Sequence, residues 1–168
     1  EQNSINIDPL FNSYKFPSPA PGSQIANKGT AITGITTDIL NEARNSTNPT
    51  PGAFENAKDI VGPDISYTKL ISTTSLENRS IIATITDFSG VNNSTNPPRI
   101  YYRKTNNANT FNNNTSSTDG WKYASSIKNG DQFTFTIDYS KLYGGANAGD
   151  DIEYFIVAQD NVGTPNTS

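Results

Sequence analysis

Three groups of side chains have the types and spacing for chemistry. Asp150, Asp151 and Glu153 form a dense acidic cluster. Glycoside hydrolysis needs two carboxyl groups flanking a bond at a set separation, and Asp151 and Glu153, two apart on a strand, would share a face about 7 Å apart. They stand at a strand opening beside a Gly-rich turn, the usual place for solvating charge, which is the preferred reading. Asp87 and Asp160 each close a strand, and with Ser89 and Asn161 they could offer Ca²⁺ the several oxygens it takes. Asp-x-Ser-Gly and Asp-Asn-x-Gly also form Asx turns unaided, and no Asp-x-Asp-x-Asp run accompanies them, so turns are expected there. Trp121, Tyr101, Tyr102 and Tyr123 could make a platform for a sugar ring, although burial of Trp121 in the core is expected. Either Tyr101 or Tyr102 should point outward, and that residue is the best candidate for a contact surface. No residue is assigned a catalytic, cofactor-binding or metal-binding role, and no cofactor is implied.

Composition narrows the chemistry further. The 168 residues contain no Cys, His or Met. That removes Cys–His and Ser–His–Asp machinery and most zinc sites, and it leaves packing, without disulfides, to supply stability. Formal net charge is −4, and no basic stretch is present to displace counterions from phosphates, so nucleic acid is not an expected partner. No apolar run approaches the roughly 20 residues needed to span a bilayer, so membrane insertion is not expected. The sequons at Asn45, Asn78, Asn93 and Asn114 arise by chance in so Asn- and Thr-rich a chain.

Charged residues are few, at 17%, and hydrophobic ones reach 33%, with Asn, Thr and Ser filling the difference. Such side chains favour strands and turns over long helices, so the fold class expected is all-β. Strand character appears at 64–73, 79–91, 99–104, 120–127, 132–139 and 151–160. The clearest is "QFTFTIDY", which alternates Phe133, Phe135, Ile137 and Tyr139 with polar residues, as a half-buried strand requires. Asn129-Gly130 before it is a tight-turn signal. The stretch 151–160 is apolar on both faces through its middle and reads as a central strand. About six short strands over 61–168 suggest an antiparallel sandwich of immunoglobulin-like or fibronectin-III-like type, with a further strand needed to complete it. The long polar connection Thr105–Asp119 reads as a mobile, solvated loop. Residues 1–60 differ: short apolar pieces such as "INIDPLF", "YKF", "QIA" and "GAFE" are separated by Pro and Gly, as in the coils of a solenoid.

Those pieces carry a resemblance. Asp8 to Phe11, Gly29-Thr30, Gly34, Asp38, Arg44, Pro51 and Gly52 to Glu55 resemble the closing coils of secreted right-handed parallel β-helix proteins. One departure is "ILNEAR" after Asp38, where the family carries an acidic–Gly pair. The later segments "IIATITDFSGV", "RIYYRK" and "DIEYFIVAQD" are similar to the Ig-like modules that follow such helices in exported surface proteins of bacteria with type IX secretion. The resemblance implies terminal β-helix coils and cap over 1–60, an Ig-like sandwich over 61–168, and a fragment of a longer parent polypeptide. It also implies an extracellular location on the bacterial cell surface. A β-helix ends in an open edge and an apolar interior that must be covered, and a segment carrying Ile35, Ile39, Leu40 and Phe54 would serve as that lid, with Arg44 pairing with Asp38 or Glu55. The function implied is structural or adhesive, and not enzymatic. Its partners would be the rest of the parent chain and secretion or anchoring proteins, with glycans as candidate ligands. Alternatives are the non-catalytic tail of a carbohydrate-active β-helix enzyme such as a polysaccharide lyase, or a glycan-binding module.

Overall fold

The computed structural model describes residues 5–11, 14, 17–20, 23–56, 59 and 61–168; Lys15 and Phe16 of the "YKF" piece and Pro21 and Gly22 lie outside them. The chain divides into two compact units, Glu1–Val61 and Gly62–Ser168. Strands occur among the described residues without any α-helix, and no helix is long and apolar enough to cross a membrane.

The second unit holds seven strands: β1 (Asp64–Tyr67), β2 (Arg79–Thr86), β3 (Arg99–Lys104), β4 (Lys122–Ser125), β5 (Ile127–Asn129), β6 (Gln132–Ile137) and β7 (Ile152–Val157). They form two antiparallel sheets, ordered β1-β2-β6-β5 and β4-β3-β7. Alternation sets the inner face of the first sheet. Ile81, Ala83 and Ile85 of β2 and Phe133, Phe135 and Ile137 of β6 are buried, with Ile81 opposite Phe135 and Ala83 opposite Phe133. Ile100 and Tyr102 of β3 and Ile156 of β7 join the same core from the second sheet. Each such aliphatic or Phe side chain contributes about 1.5–3 kcal/mol by leaving water.

Two differences from the sequence reading have local causes. The stretch 120–127 does not stay one strand: β4 lies in one sheet and β5 in the other, and the chain changes sheets at Ser126, whose N–H donates to Pro98 O at 3.1 Å. Likewise β7 is not central but an edge, paired only with β3. On its outer face Phe155 packs against Tyr101 of β3 and Trp121, which immediately precedes β4. The Asn129-Gly130 turn falls as expected, with Gly130 at φ +61°.

The first unit is built from turns. Its described bridges, Phe11 to Pro19 and Thr37 to Ala43, are both antiparallel, and the parallel pairing expected of β-helix coils is not seen among the described residues. Asn27, Gly34, Asn41 and Gly52 have positive φ, which lets so short a segment reverse several times. At Gly29 the backbone itself makes a contact: its N–H donates to Pro49 O at 2.7 Å, and a Cβ there would lie 2.6 Å from that oxygen.

Candidate functional site

Buried carboxylates organise the first unit. Asp38 and Glu55 are nearly inaccessible, as is Thr50. Asp38 Oδ1 accepts the N–H groups of Leu40 (2.7 Å) and Glu42 (3.0 Å), and its Oδ2 accepts that of Glu55 (3.0 Å). Burial works to raise the Asp38 pKa, but these three N–H donors and nearby Arg44 outweigh it and hold the carboxyl below its ordinary value. Glu55 accepts Asn45 N–H (2.9 Å) on Oε1, and Thr50 N–H (3.1 Å) and Arg44 Nη1 (3.3 Å) on Oε2. Arg44 donates further to the carbonyls of Thr37, Thr50 and Gly52. The expected pairing of Arg44 with an acid is therefore made to Glu55, while Asp38 serves backbone donors. Phe54 is buried, whereas Ile35 and Ile39 are exposed.

The outer face of the β4-β3-β7 sheet carries rings and cations in rows. With Ile100, Tyr102 and Lys104 buried, alternation leaves Arg99, Tyr101 and Arg103 on the other face. Register puts Tyr101 between Tyr123 of β4 and Phe155 of β7. Its ring stacks on Phe155 (centroids 5.3 Å apart, planes at 11°) and tilts against Tyr123 at 5.8 Å. Trp121 meets Phe155 edge-on at 4.9 Å. Arg99 lies 4.6 Å from the Tyr123 ring centre and Arg103 4.9 Å from that of Trp121; Arg103 also pairs with Glu153 at 2.5 Å. Of the two tyrosines, Tyr101 is thus the outward one. Tyr102 is fully buried, its hydroxyl donating to Asp138 O at 3.3 Å, and burial pushes its pKa up to about 12. Trp121 is not in the core, contrary to expectation, because β4 turns its odd-numbered side chains outward.

The connection Thr105–Asp119 folds over these rings and is not the free, solvated loop expected. Lys122, wholly buried, donates from Nζ to Thr118 O (2.6 Å), Thr118 Oγ1 (3.0 Å) and Asn113 O (3.2 Å). The Asn114 carboxamide accepts Tyr123 N–H at 2.8 Å and donates to Tyr123 O at 2.9 Å, occupying the free side of β4 as a neighbouring strand would. Trp121 donates its backbone N–H to Thr110 O and its indole N–H to Asn109 Oδ1, both at 2.8 Å. Phe111 lands against Tyr101 and Tyr123. Gly120, at φ +106°, is required, since a Cβ would collide with the Thr110 carbonyl. The rings therefore use their faces on one another, a satellite cluster under a long loop, and what remains for a ligand is ring edges and the Arg99 guanidinium.

The acidic trio is divided. Asp150 Oδ2 accepts the Asn147 N–H (2.9 Å) and pairs with Lys104 (3.3 Å); the Asn147 bond and then Lys104 lower its pKa against burial. Glu153 is held by Arg103, and Asp151 is exposed, its carbonyl accepting Thr105 N–H. Asp150 and Asp151 both line a cavity of about 310 Å³, but Asp150 is already engaged there by Asn147 and Lys104. Asp87 and Asp160 are brought together, with carboxylate oxygens within 4.8 Å. Asp87 Oδ1 accepts Ser89 N–H, and Asp160 accepts Val162 N–H, Asn166 N–H and the Asn166 amide, so both build turns. Sequence reasoning missed Phe155, Arg99, Lys122 and Asn114; the alternation in "RIYYRK" already put Arg99 beside Tyr101 on the outer face. Comparison with known proteins finds no matching family model, no matching curated protein and no matching solved structure.

Proposed function

We propose that this chain is a non-catalytic structural segment of a large exported surface protein of a bacterium with type IX secretion. In this reading residues 1–60 close a right-handed parallel β-helix, and residues 61–168 form an Ig-like spacer that holds the parent protein away from the cell surface. The observation that carries it is the convergence of Asp38, Arg44 and Glu55, spread over the motif of the β-helix ending, in one buried network that locks a turn-rich segment. A lid has no ladder of its own, so side chains must satisfy its backbone. The sheet order β1-β2-β6-β5 opposite β4-β3-β7 supports the Ig-like part, being the A-B-E-D arrangement opposite a C-F pair. The pairing of Asp150 with Lys104 and of Glu153 with Arg103 supports the non-catalytic reading.

Phe54→Asp tests the lid. Placing a carboxylate at this buried position costs on the order of 3–5 kcal/mol and is expected to expose residues 23–56 to protease, while Phe54→Leu stays resistant and residues 62–168 survive in both. Unchanged resistance of Phe54→Asp overturns the lid. Turnover of any member of a panel of acidic and neutral polysaccharides by the unmodified chain overturns the non-catalytic assignment.

A further inference from the structure

The chain has four arginines, and three of them are committed. Arg44 pairs with Glu55, Arg103 pairs with Glu153, and both Nη atoms of Arg79 donate to Ile71 O at 3.3 Å. Arg99 differs. Its guanidinium lies 4.6 Å from the Tyr123 ring centre, and among the described residues no oxygen accepts from it. Its Nε is buried without a hydrogen-bond partner. A guanidinium drawn this far out of water ordinarily meets an acceptor, so Arg99 keeps its capacity for one.

Arg99 lines a cavity of about 150 Å³ with Asn96, Pro97, Tyr101, Val157 and Gln159. The fold fixes these members. Arg99 and Val157 stand opposite each other in the β3–β7 ladder, and Gln159 is held two residues on, its backbone O accepting Asn92 N–H at 2.8 Å. The Asn92 side-chain oxygen in turn accepts the N–H groups of Ser94, Thr95 and Asn96, which sets the turn carrying Asn96 and Pro97. The carboxamides of Asn96 and Gln159 make no hydrogen bond among the described residues. Tyr123 covers one side of the Arg99 guanidinium, which leaves the rim, where the N–H groups point, for a planar oxyanion. Tyr101 brings no open ring face, since it stacks on Phe155 and tilts against Tyr123.

We infer that this cavity is a binding site for a carboxylate-bearing sugar, a hexuronate residue of an acidic polysaccharide. Arg99 clasps the carboxylate, and Asn96 and Gln159 serve the hydroxyls beside it. A guanidinium offers a carboxylate two parallel N–H groups, and carboxamides donate and accept at once, as hydroxyls do. The volume suits the acidic end of one ring, so the site holds one residue of a longer saccharide. A peptide carboxylate is served less well: the backbones of Arg99 and Val157 are paired with each other, so a peptide finds no main-chain ladder there. A neutral sugar is served less well too, because the ring faces it would stack on are taken. The net charge of −4 gives no long-range attraction to a polyanion, so affinity for a short oligosaccharide is modest, about 1 mM.

The test is a chemical-shift titration of the 168-residue chain with a galacturonate trimer, the matching neutral galactose trimer and a triglutamate peptide. It follows the Arg99 Nε–H and the side-chain amides of Asn96 and Gln159. The inference expects saturable shifts of these groups with the galacturonate trimer, and binding at least about tenfold weaker for Arg99→Gln. Gln159→Glu places a carboxylate in the same cavity as Arg99 and is expected to abolish binding while the melting temperature holds, which separates loss of the site from loss of the fold. Equal binding of the galactose trimer overturns the inference, as does binding unchanged in either variant or no saturable shift up to about 10 mM. Tighter binding of triglutamate assigns the cavity to an acidic peptide and overturns the saccharide. The readout is binding rather than turnover and does not involve Phe54, so the lid and spacer reading stands or falls separately.

Discussion

Glu55→Gln probes the network that holds the first unit. A carboxylate at this position accepts on both oxygens; a carboxamide accepts on one and donates from the other. If the amide oxygen faces Thr50 N–H and Arg44, the NH₂ opposes Asn45 N–H; turned over, it opposes Thr50 N–H and the guanidinium. Either way a buried donor is left unserved, at about 1–3 kcal/mol. Loss of the charge opposite Arg44 adds to this, toward the low end for a broken buried pair because Arg44 keeps three carbonyls. The sum is about 4–6 kcal/mol, which in a unit of this size lowers the melting temperature by at least about 15 °C. Thermal unfolding followed with exchange at the Asn45, Thr50 and Glu55 amides measures it in the intact chain. Glu77→Gln, an exposed change in the second unit, is the control. A shift under about 2 °C, or one matched by the control, refutes the argument.

Lys122→Met removes three bonds that hold the loop while keeping an unbranched side chain in the site. Protease cleavage within 105–119 should rise about tenfold or more, and the emission of Trp121, the single tryptophan, should shift to the red; an unchanged spectrum with unchanged cleavage contradicts the pinning. Tyr102 is neutral in the fold up to about pH 12, against about 10 unfolded. The folded chain thus binds the extra proton between those values, and stability falls as pH rises through that window. Tyr102→Phe should flatten the decline in denaturant titrations from pH 9 to 12, and an unaltered slope excludes Tyr102 as its source.

Where a pattern depended only on its own strand, it could be read directly. The alternation of Phe133, Phe135 and Ile137 predicted their burial, Asn129-Gly130 marked its turn, and "RIYYRK" required one tyrosine out and one in. What depended on neighbours was hidden. Local periodicity cannot say which sheet a strand joins, so the crossing at Ser126 was not visible. Nor can it tell a strand covered by a second layer from one covered by rings, and so the doubly apolar stretch 151–160 reads as a central strand. Lys122 and Asn114 act through single side chains with no period at all, and a polar loop that carries its own anchors reads like a solvated one. In the first unit the pairing of Arg44 with an acid followed from charge alone, but the choice of Glu55 over Asp38 follows from which backbone donors reach each carboxylate.

The carboxamide of Asn114 closes one flank of the three-stranded sheet. A side chain thus does on this flank what a whole strand would otherwise have to do, and two hydrogen bonds to Tyr123 are enough to deny the β4 edge to an outside chain.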